Sequence, residues 1–389
     1  MRIFVVARGY PTDAYKLNGI FEFDQAKALK KMGHEVIYLA LDLRSIRRKR
    51  KWGMETKCID DIVIEVMNIP CGRIPDSILY TLGKMGLKKL YANTVEKYGV
   101  PDIVHSHFTD ISYITIETLK SESCLKVITE HSSAIHNNQV SIKNKKRYEN
   151  AYKQADKVIA VSSSLANVIL KEYGVKCSVI PNIVNVVDLC MNRNADIWCK
   201  EEEQYTFVSI GRLTTEKGMV NLVKGFVSCF KEDSKVQLII IGDGKEKKEI
   251  QEIIKKNGME SQIFLYGVKS RGEIGCILDH CDCFVLASMT ETFGVVFAEA
   301  MSFGIPVIGT KCGGPEDFVD EETGILIKVN DEDALKNALY FMKENSKKIY
   351  DRDIIKSKIN HICSEKVVGK QLENLYNELL IRKERRNLS

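Results

Sequence analysis

The chain has 389 residues, of which 44% are apolar and 28% charged, with 57 Lys and Arg against 52 Asp and Glu. At roughly 100–200 residues per domain that length predicts two cores rather than one, and the composition excludes a disordered chain. A net charge of +5 is too small to argue for nucleic acid as a partner.

The opening run Ile3–Ala7 leads directly into Arg8, so it reads as a buried first strand and not as the apolar stretch of a signal peptide. No apolar run reaches the ~18 residues that span a bilayer. The twelve cysteines are scattered. The closest pair, Cys281 and Cys283, would share one strand face instead of forming a metal turn, so the thiols are expected to be reduced and buried in a cytoplasmic protein.

Short β-branched runs alternate with amphipathic stretches, the pattern of parallel sheets built from βαβ units. Strands are predicted at Ile3–Val6, Glu35–Leu39, Ile62–Val66, Ile103–His105, Lys126–Glu130 and Lys157–Val161. A helix is predicted over Phe21–Met32, with Phe21, Ala26, Leu29 and Met32 on one face and Gly33 as its stop. A second series follows at Thr206–Ile210, Gln237–Ile241, Ile263–Tyr266, Cys283–Leu286, Pro306–Gly309 and Gly324–Lys328. The expected organisation is a doubly wound α/β domain over 1–184, a polar linker over 185–204, a second such domain over 205–363, and a final helix over 364–389 that returns to the first domain. Val367, Val368, Leu372, Leu375, Leu379 and Leu380 line that last helix at helical spacing.

Motifs cluster in the second series. The strand Thr206–Ile210 runs into Gly211-Arg212-Leu213 and Glu216-Lys217-Gly218, a turn at the carboxyl edge of a parallel sheet, where ligands bind. Arg212 as a planar fork and Lys217 as a point charge can converge there on a diphosphate, or can both be solvated loop cations. Gly242-Asp243-Gly244 is a second, less specific turn. After the strand ending at Leu286 comes Glu291-Thr292-Phe293-Gly294-Val295-Val296-Phe297-Ala298-Glu299. Amides at Phe293, Gly294 and Val295 would stand at a helix N-terminus and suit phosphate oxygens. Glu299 would accept from two ribose hydroxyls and Glu291 from sugar hydroxyls. The plainer reading makes Glu291 a cap and Glu299 a surface charge.

The runs at Gly211–Gly218 and Glu291–Ala300 are similar, in order and spacing, to those of the retaining GT-B glycosyltransferases of family 4, which includes sucrose synthases and bacterial mannosyl- and glucosyltransferases. So are Gly304–Ile308 and Gly313-Gly314-Pro315-Glu316; the match covers some 120 residues. The resemblance implies two Rossmann-like domains facing each other across a cleft. It implies a nucleotide diphosphate sugar donor, held by Arg212, Lys217, Glu291, Thr292, Phe293, Gly294, Val295 and Glu299, with no divalent metal. The two cations and the helix dipole would replace the ion. A uridine diphosphate sugar is the first expectation for the donor and guanosine diphosphate mannose the second.

The first half resembles the family less closely. Asp102–His107, Thr129-Glu130-His131, Val158–Leu165 and Pro181-Asn182 match. His131 is the residue expected beside the transferred sugar, whereas His105 reads as packing at a strand end. The family often carries paired glycines after the first strand; here only Asn18-Gly19 stands, leaving Gly19 as the expected phosphate contact. The implied reaction retains configuration, with catalysis by positioning and charge, His131, Arg212, Lys217 and Glu291 being the residues expected to act.

A basic run at Arg44, Arg47, Arg48, Lys49, Arg50 and Lys51, ending in Trp52, and a basic segment with Lys84, Lys88 and Lys89 among Leu82, Met85, Leu87, Leu90 and Tyr91 lie in the acceptor half. They suggest a face resting on an anionic membrane to reach a saccharide or lipid-linked acceptor; snorkelling lysines are the plainer reading. Two other readings fit the same motifs, a nucleotide-sugar epimerase of the same fold and a non-catalytic nucleotide-sugar binding subunit. A Rossmann dehydrogenase is disfavoured because Gly-x-Gly-x-x-Gly does not follow the first strand.

Overall fold

The computed structural model describes residues 1–12, 15, 18–44, 51–185 and 203–388. Most of the expected linker 185–204, and Arg47, Arg48, Lys49 and Arg50 of the basic run, lie outside the described residues. The chain divides into two compact units: Met1–Ile183 together with Glu365–Ser389, and Val184–Ser364.

The N-terminal unit is built on one eight-stranded sheet. In chain order its strands are β1 (Arg2–Ala7), β2 (Glu35–Asp42), β3 (Gly53–Ile59), β4 (Ile62–Asn68), β5 (Ile103–His107), β6 (Leu125–Glu130), β7 (Lys157–Ala160) and β8 (Ser178–Val179). They are arranged β3-β4-β2-β1-β5-β6-β7-β8. All neighbours are parallel except the hairpin β3–β4. Strands β3 and β8 were not expected from sequence. The hairpin turns on Asp60 and Asp61, both at positive φ (48° and 60°), as a two-residue turn matched to strand twist requires. Strand β3 presents Thr56, Lys57 and Cys58 to solvent, partly exposed residues that break an apolar alternation.

Helix α1 (Ile20–Lys31) departs from the expected one-sided face. Glu22, Asp24 and Gln25 are buried along with Phe23, Ala26, Ala28 and Leu29, whereas Phe21 and Met32 are only half-buried. Helix α13 (Glu365–Leu388) packs on the C-terminal end of α1, where Lys31 pairs with Glu365, while Glu22 and Asp24 lie beside Tyr38 of β2. Val368, Leu372, Tyr376 and Leu379 of α13 join a core with Ile3, Val5, Phe23, Leu29 and Tyr38. On the opposite sheet face, α2 (Asp76–Tyr98) and α3 (Thr109–Leu119) bury Leu87, Leu90, Ile111 and Ile114 against Phe4, Val6 and Leu39. Helices α4 (Ser133–His136), α5 (Ile142–Gln154) and α6 (Ser163–Tyr173) complete this unit.

The second unit has six parallel strands, β9 (Tyr205–Ile210), β10 (Val236–Ile241), β11 (Ile263–Gly267), β12 (Cys283–Val285), β13 (Val307–Thr310) and β14 (Gly324–Ile327), ordered β11-β10-β9-β12-β13-β14. Among the described residues its helices are α7 (Met219–Phe230), α8 (Lys247–Asn257), α9 (Arg271–Asp279), α10 (Val295–Ser302), α11 (Glu332–Ile349) and α12 (Arg352–Cys363). In both sheets the order reverses beside the first strand, between β1 and β5 and between β9 and β12. A ligand crevice forms at such a switch point because the flanking loops leave the sheet towards opposite faces.

Candidate active site

In the second unit the loops after β9 and β12 flank the switch point, and backbone contacts hold them against each other. The Met289 amide donates to the Glu216 carbonyl at 2.8 Å. Gly218 sits at φ 63°, where a β-carbon would lie 2.1 Å from the Ala287 carbonyl oxygen, so only glycine fits. The turn thereby delivers Lys217 to Glu291. Its Nζ lies 2.5 Å from Glu291 Oε1, and both side chains are largely withdrawn from solvent. Ser288 Oγ donates to the same carboxylate oxygen at 2.7 Å.

The Glu291 backbone bridges Gly313 and its amide donates to the Cys312 carbonyl. The strand-like pairing fixes the residue before the chain turns into α10, so Glu291 is not the cap of that helix. Gly294, at φ 86°, is the residue preceding α10. Thr292 lies beside the buried Phe293, whose ring packs 5.2 Å from that of Phe318, and Val295 opens the helix.

Glu299 is 8% exposed and is therefore not a surface charge. Its Oε1 lies 4.0 Å from Nε of Arg271, at the start of α9. The sequence reading missed Arg271, because Ser270-Arg271-Gly272-Glu273 announces only a helix start; Ser270 and Glu273 do form the reciprocal capping box. Capping holds Glu273 at about 2, chiefly through the Ser270 amide. Arg212 stands apart from this cluster. Its side chain is 70% exposed and its nearest carboxylate is Glu216, at 3.4 Å.

In the N-terminal unit the equivalent switch point gathers Arg8, Gly19, Phe108 and His131. Gly19 is left-handed (φ 70°) and a β-carbon there would fall 2.3 Å from the Gly9 carbonyl oxygen. Tyr38 Oη donates to that same oxygen at 2.8 Å, tying the loop to β2. Among the described residues no side chain caps the first amides of α1.

His131 follows β6 and is set by Glu130. This buried carboxylate accepts from the amides of His131 (2.9 Å) and Ser132 (2.8 Å), from Tyr152 Oη (2.7 Å) and from Thr109 Oγ1. Burial raises the Glu130 pKa, and those four donors oppose the shift.

The His131 ring stacks on Phe21 and His107, and its Nε2 is 3.1 Å from His107 Nδ1. His107 stacks in turn on His105 at 4.4 Å. His105 does more than pack: Nε2 meets Thr129 Oγ1 at 2.6 Å and Nδ1 meets Tyr376 Oη of α13 at 2.7 Å. Desolvation lowers His105 and His131 to about 3, and His107 also falls well below its usual range. The rings are therefore neutral at physiological pH, able to orient a ligand by hydrogen bonding but not to supply a standing positive charge.

Comparison with known proteins places these features in a lineage. The model of glycosyl transferases group 1 matches residues 192–360, and that of Glycosyltransferase Family 4 matches residues 23–187. An uncharacterized glycosyltransferase of Methanocaldococcus jannaschii is 30% identical over 260 residues, 66% of this chain and 69% of that one. The chain spans 61% of the length of another such relative from the same organism, at 27% identity over 59% of this chain. Among solved structures, sucrose-phosphate synthase from Thermosynechococcus elongatus superimposes with a TM-score of 0.78 at 18% identity, covering 98% of this chain and all of the other, which establishes a common fold. The two family models, the relative that matches over two thirds of its length, and the paired parallel sheets agree: the chain belongs to the group 1 glycosyltransferases of family 4.

Proposed function

We propose that the chain transfers a hexosyl unit from a nucleotide diphosphate sugar to a saccharide or lipid-linked saccharide, with retention of configuration and without a divalent metal. The observation that carries this reading is the Lys217–Glu291 pair beside the uncapped start of α10. An ammonium held close to a phosphate-suited turn stabilises a departing diphosphate, while the carboxylate accepts from donor sugar hydroxyls. Glu299, steadied by Arg271, is assigned the ribose, and Arg212 supplies a second cation from its exposed position. A uridine diphosphate sugar is the favoured donor. In the N-terminal unit, neutral His131 is assigned the transferred sugar and Gly19 the phosphate. The acceptor hydroxyl attacks from the face the nucleotide leaves and passes its proton to the departing phosphate.

Glu299→Ala should weaken donor binding by about 1.5–3 kcal/mol, the worth of hydrogen bonds to a charged group, as measured by titration calorimetry with uridine diphosphate sugars. Undiminished affinity would remove Glu299 from the site.

The same reading places α2 against an anionic membrane surface. Of the apolar residues expected on this helix, Leu87, Leu90 and Tyr91 are buried in the core, so its outward face carries Lys84, Lys88 and Lys89 with only Ile78 and Met85 exposed, at 49% and 66%, a basic face with two apolar side chains. Among the described residues no helix is long and apolar enough to cross a membrane, so attachment would be peripheral. Co-sedimentation with phosphatidylglycerol vesicles should exceed that with phosphatidylcholine vesicles and weaken with salt; equal binding to both would end the membrane reading and leave transfer untouched.

A further inference from the structure

A cavity of about 470 Å³ opens within the N-terminal unit between β2, α2, α3 and α5, within the size range of small-ligand sites. Its lining includes the apolar Leu79, Ile111, Ile114 and Ile135. Asp110, in the same lining, presents a carboxylate held by two phenols. Tyr80 Oη and Tyr148 Oη both donate to its Oδ1 at 2.6 Å, and the two phenols lie 3.2 Å apart. Arg147 stacks 4.9 Å above the Tyr80 ring and holds it in place. Both tyrosines are buried whereas Asp110 is exposed towards the cavity. With Oδ1 filled, Oδ2 remains to accept hydroxyl protons; no partner for it is found among the described residues. A carboxylate so held, in a lining that also carries apolar side chains, suits the hydroxyls and the non-polar face of a pyranose.

Two arginines also line the cavity, and they are in different states. Arg44 is spent, because Nε and Nη2 fork onto Asp42 at 2.6 Å each. Arg8, at the end of β1, is exposed and lies 4.0 Å over the Phe108 ring, with no carboxylate in ion-pair contact among the described residues. Phe108 itself sits at φ 62°, a conformation that costs a non-glycine residue energy and that the surrounding structure must enforce. An available guanidinium, oriented by a strained aromatic next to His131, calls for an anion.

We propose that this cavity receives the acceptor, and that the acceptor is a saccharide bearing a phosphate: the sugar hydroxyls bind Asp110 and the phosphate binds Arg8. The inference rests on the transferase reading and names the acceptor class. The phosphate could belong to a free sugar phosphate or to a lipid-linked saccharide.

The test is calorimetric titration of the full chain, first with uridine diphosphate and then, with that nucleotide present, with methyl glucoside, glucose 1-phosphate, N-acetylglucosamine 1-phosphate and farnesyl-diphospho-N-acetylglucosamine. Phosphorylated probes should bind at least about tenfold more tightly than methyl glucoside. Arg8→Gln should remove that preference. Asp110→Asn should weaken all four about tenfold with melting temperature and nucleotide affinity unchanged. If the farnesyl compound binds more tightly than N-acetylglucosamine 1-phosphate, the source is lipid-linked; if not, it is a free sugar phosphate.

The proposal is overturned if no saccharide binds, if neutral and phosphorylated probes bind alike, or if Arg8→Gln weakens the nucleotide instead, which would assign Arg8 to the donor. Failure of wild-type protein to bind uridine or guanosine diphosphates or their sugars would count against the transferase reading separately.

Discussion

Burial drives the chemistry of single residues in the N-terminal unit. Glu22 is 1% exposed, and desolvation raises its pKa from 4.5 to about 7, with its backbone hydrogen bond and the nearby Arg8 charge opposing the shift. For a carboxyl whose folded pKa is raised, the folded state binds the extra proton. Its stabilisation is complete below about 4.5 and is lost as pH rises to about 7. The buried histidines act in the other sense, since His105 and His131, lowered to about 3, cost stability as pH falls below 6.5. The difference between wild type and Glu22→Gln isolates the carboxyl. The variant should gain about 3 kcal/mol on wild type between pH 5 and pH 8, read from urea unfolding. A pH-independent difference would mean that Glu22 keeps an ordinary pKa. Neither Glu22 nor Glu130 could be recognised as buried from the sequence, because a charged letter in an amphipathic window counts towards the solvent face.

At the scale of elements, the link between α13 and β5 is the least foreseeable feature. The last helix was legible as amphipathic from Val368, Leu372 and Leu379, yet its consequence for the site lies in Tyr376, whose hydroxyl meets His105 across 271 residues of chain. A neutral imidazole has one donor and one acceptor nitrogen, so Tyr376 and Thr129 must play opposite roles, and together they select the His105 tautomer. Stacking then carries that order to His107 and His131. Tyr376→Phe should cost about 1 kcal/mol of stability and shift the His105 ring nitrogens in ¹⁵N NMR towards a mixed tautomer. Unaltered ring resonances would show that Thr129 alone sets it. The loops after β9 and β12 are a mixed case. Their motifs were readable as glycine-bounded turns, and the close backbone approach at Gly218 admits only glycine; the contact of Lys217 with Glu291, 74 residues further on, was decided by the fold.

For the whole molecule, the N-terminal unit is assembled from the two ends of the chain. Deleting residues 365–389 would remove Val368, Leu372, Tyr376 and Leu379 from its core. At about 1.5–3 kcal/mol for each buried side chain the loss rivals the entire stability of a domain. The truncated chain should therefore lose protease resistance over 1–183 while 184–364 stays protected, as mass spectrometry of limited digests would show. Retained protection throughout would mean that α13 is an accessory, with α1 covered by other means.

What the sequence determined by itself was local: the alternation of strands and helices, the two series that make two sheets, and the glycine-bounded motifs whose backbone needs admit few residues. Periodicity and turn chemistry act over a few neighbours, so they can be read from neighbours. Tertiary structure alone decided which cation is spent and which is available, that Arg271 stands beside Glu299, that Asp110 is backed by two phenols, and that a tyrosine from the C-terminal helix fixes a histidine of β5. Each of these depends on burial and on contacts between residues far apart in the chain, where desolvation and hydrogen-bond partners, not residue type, set the chemistry.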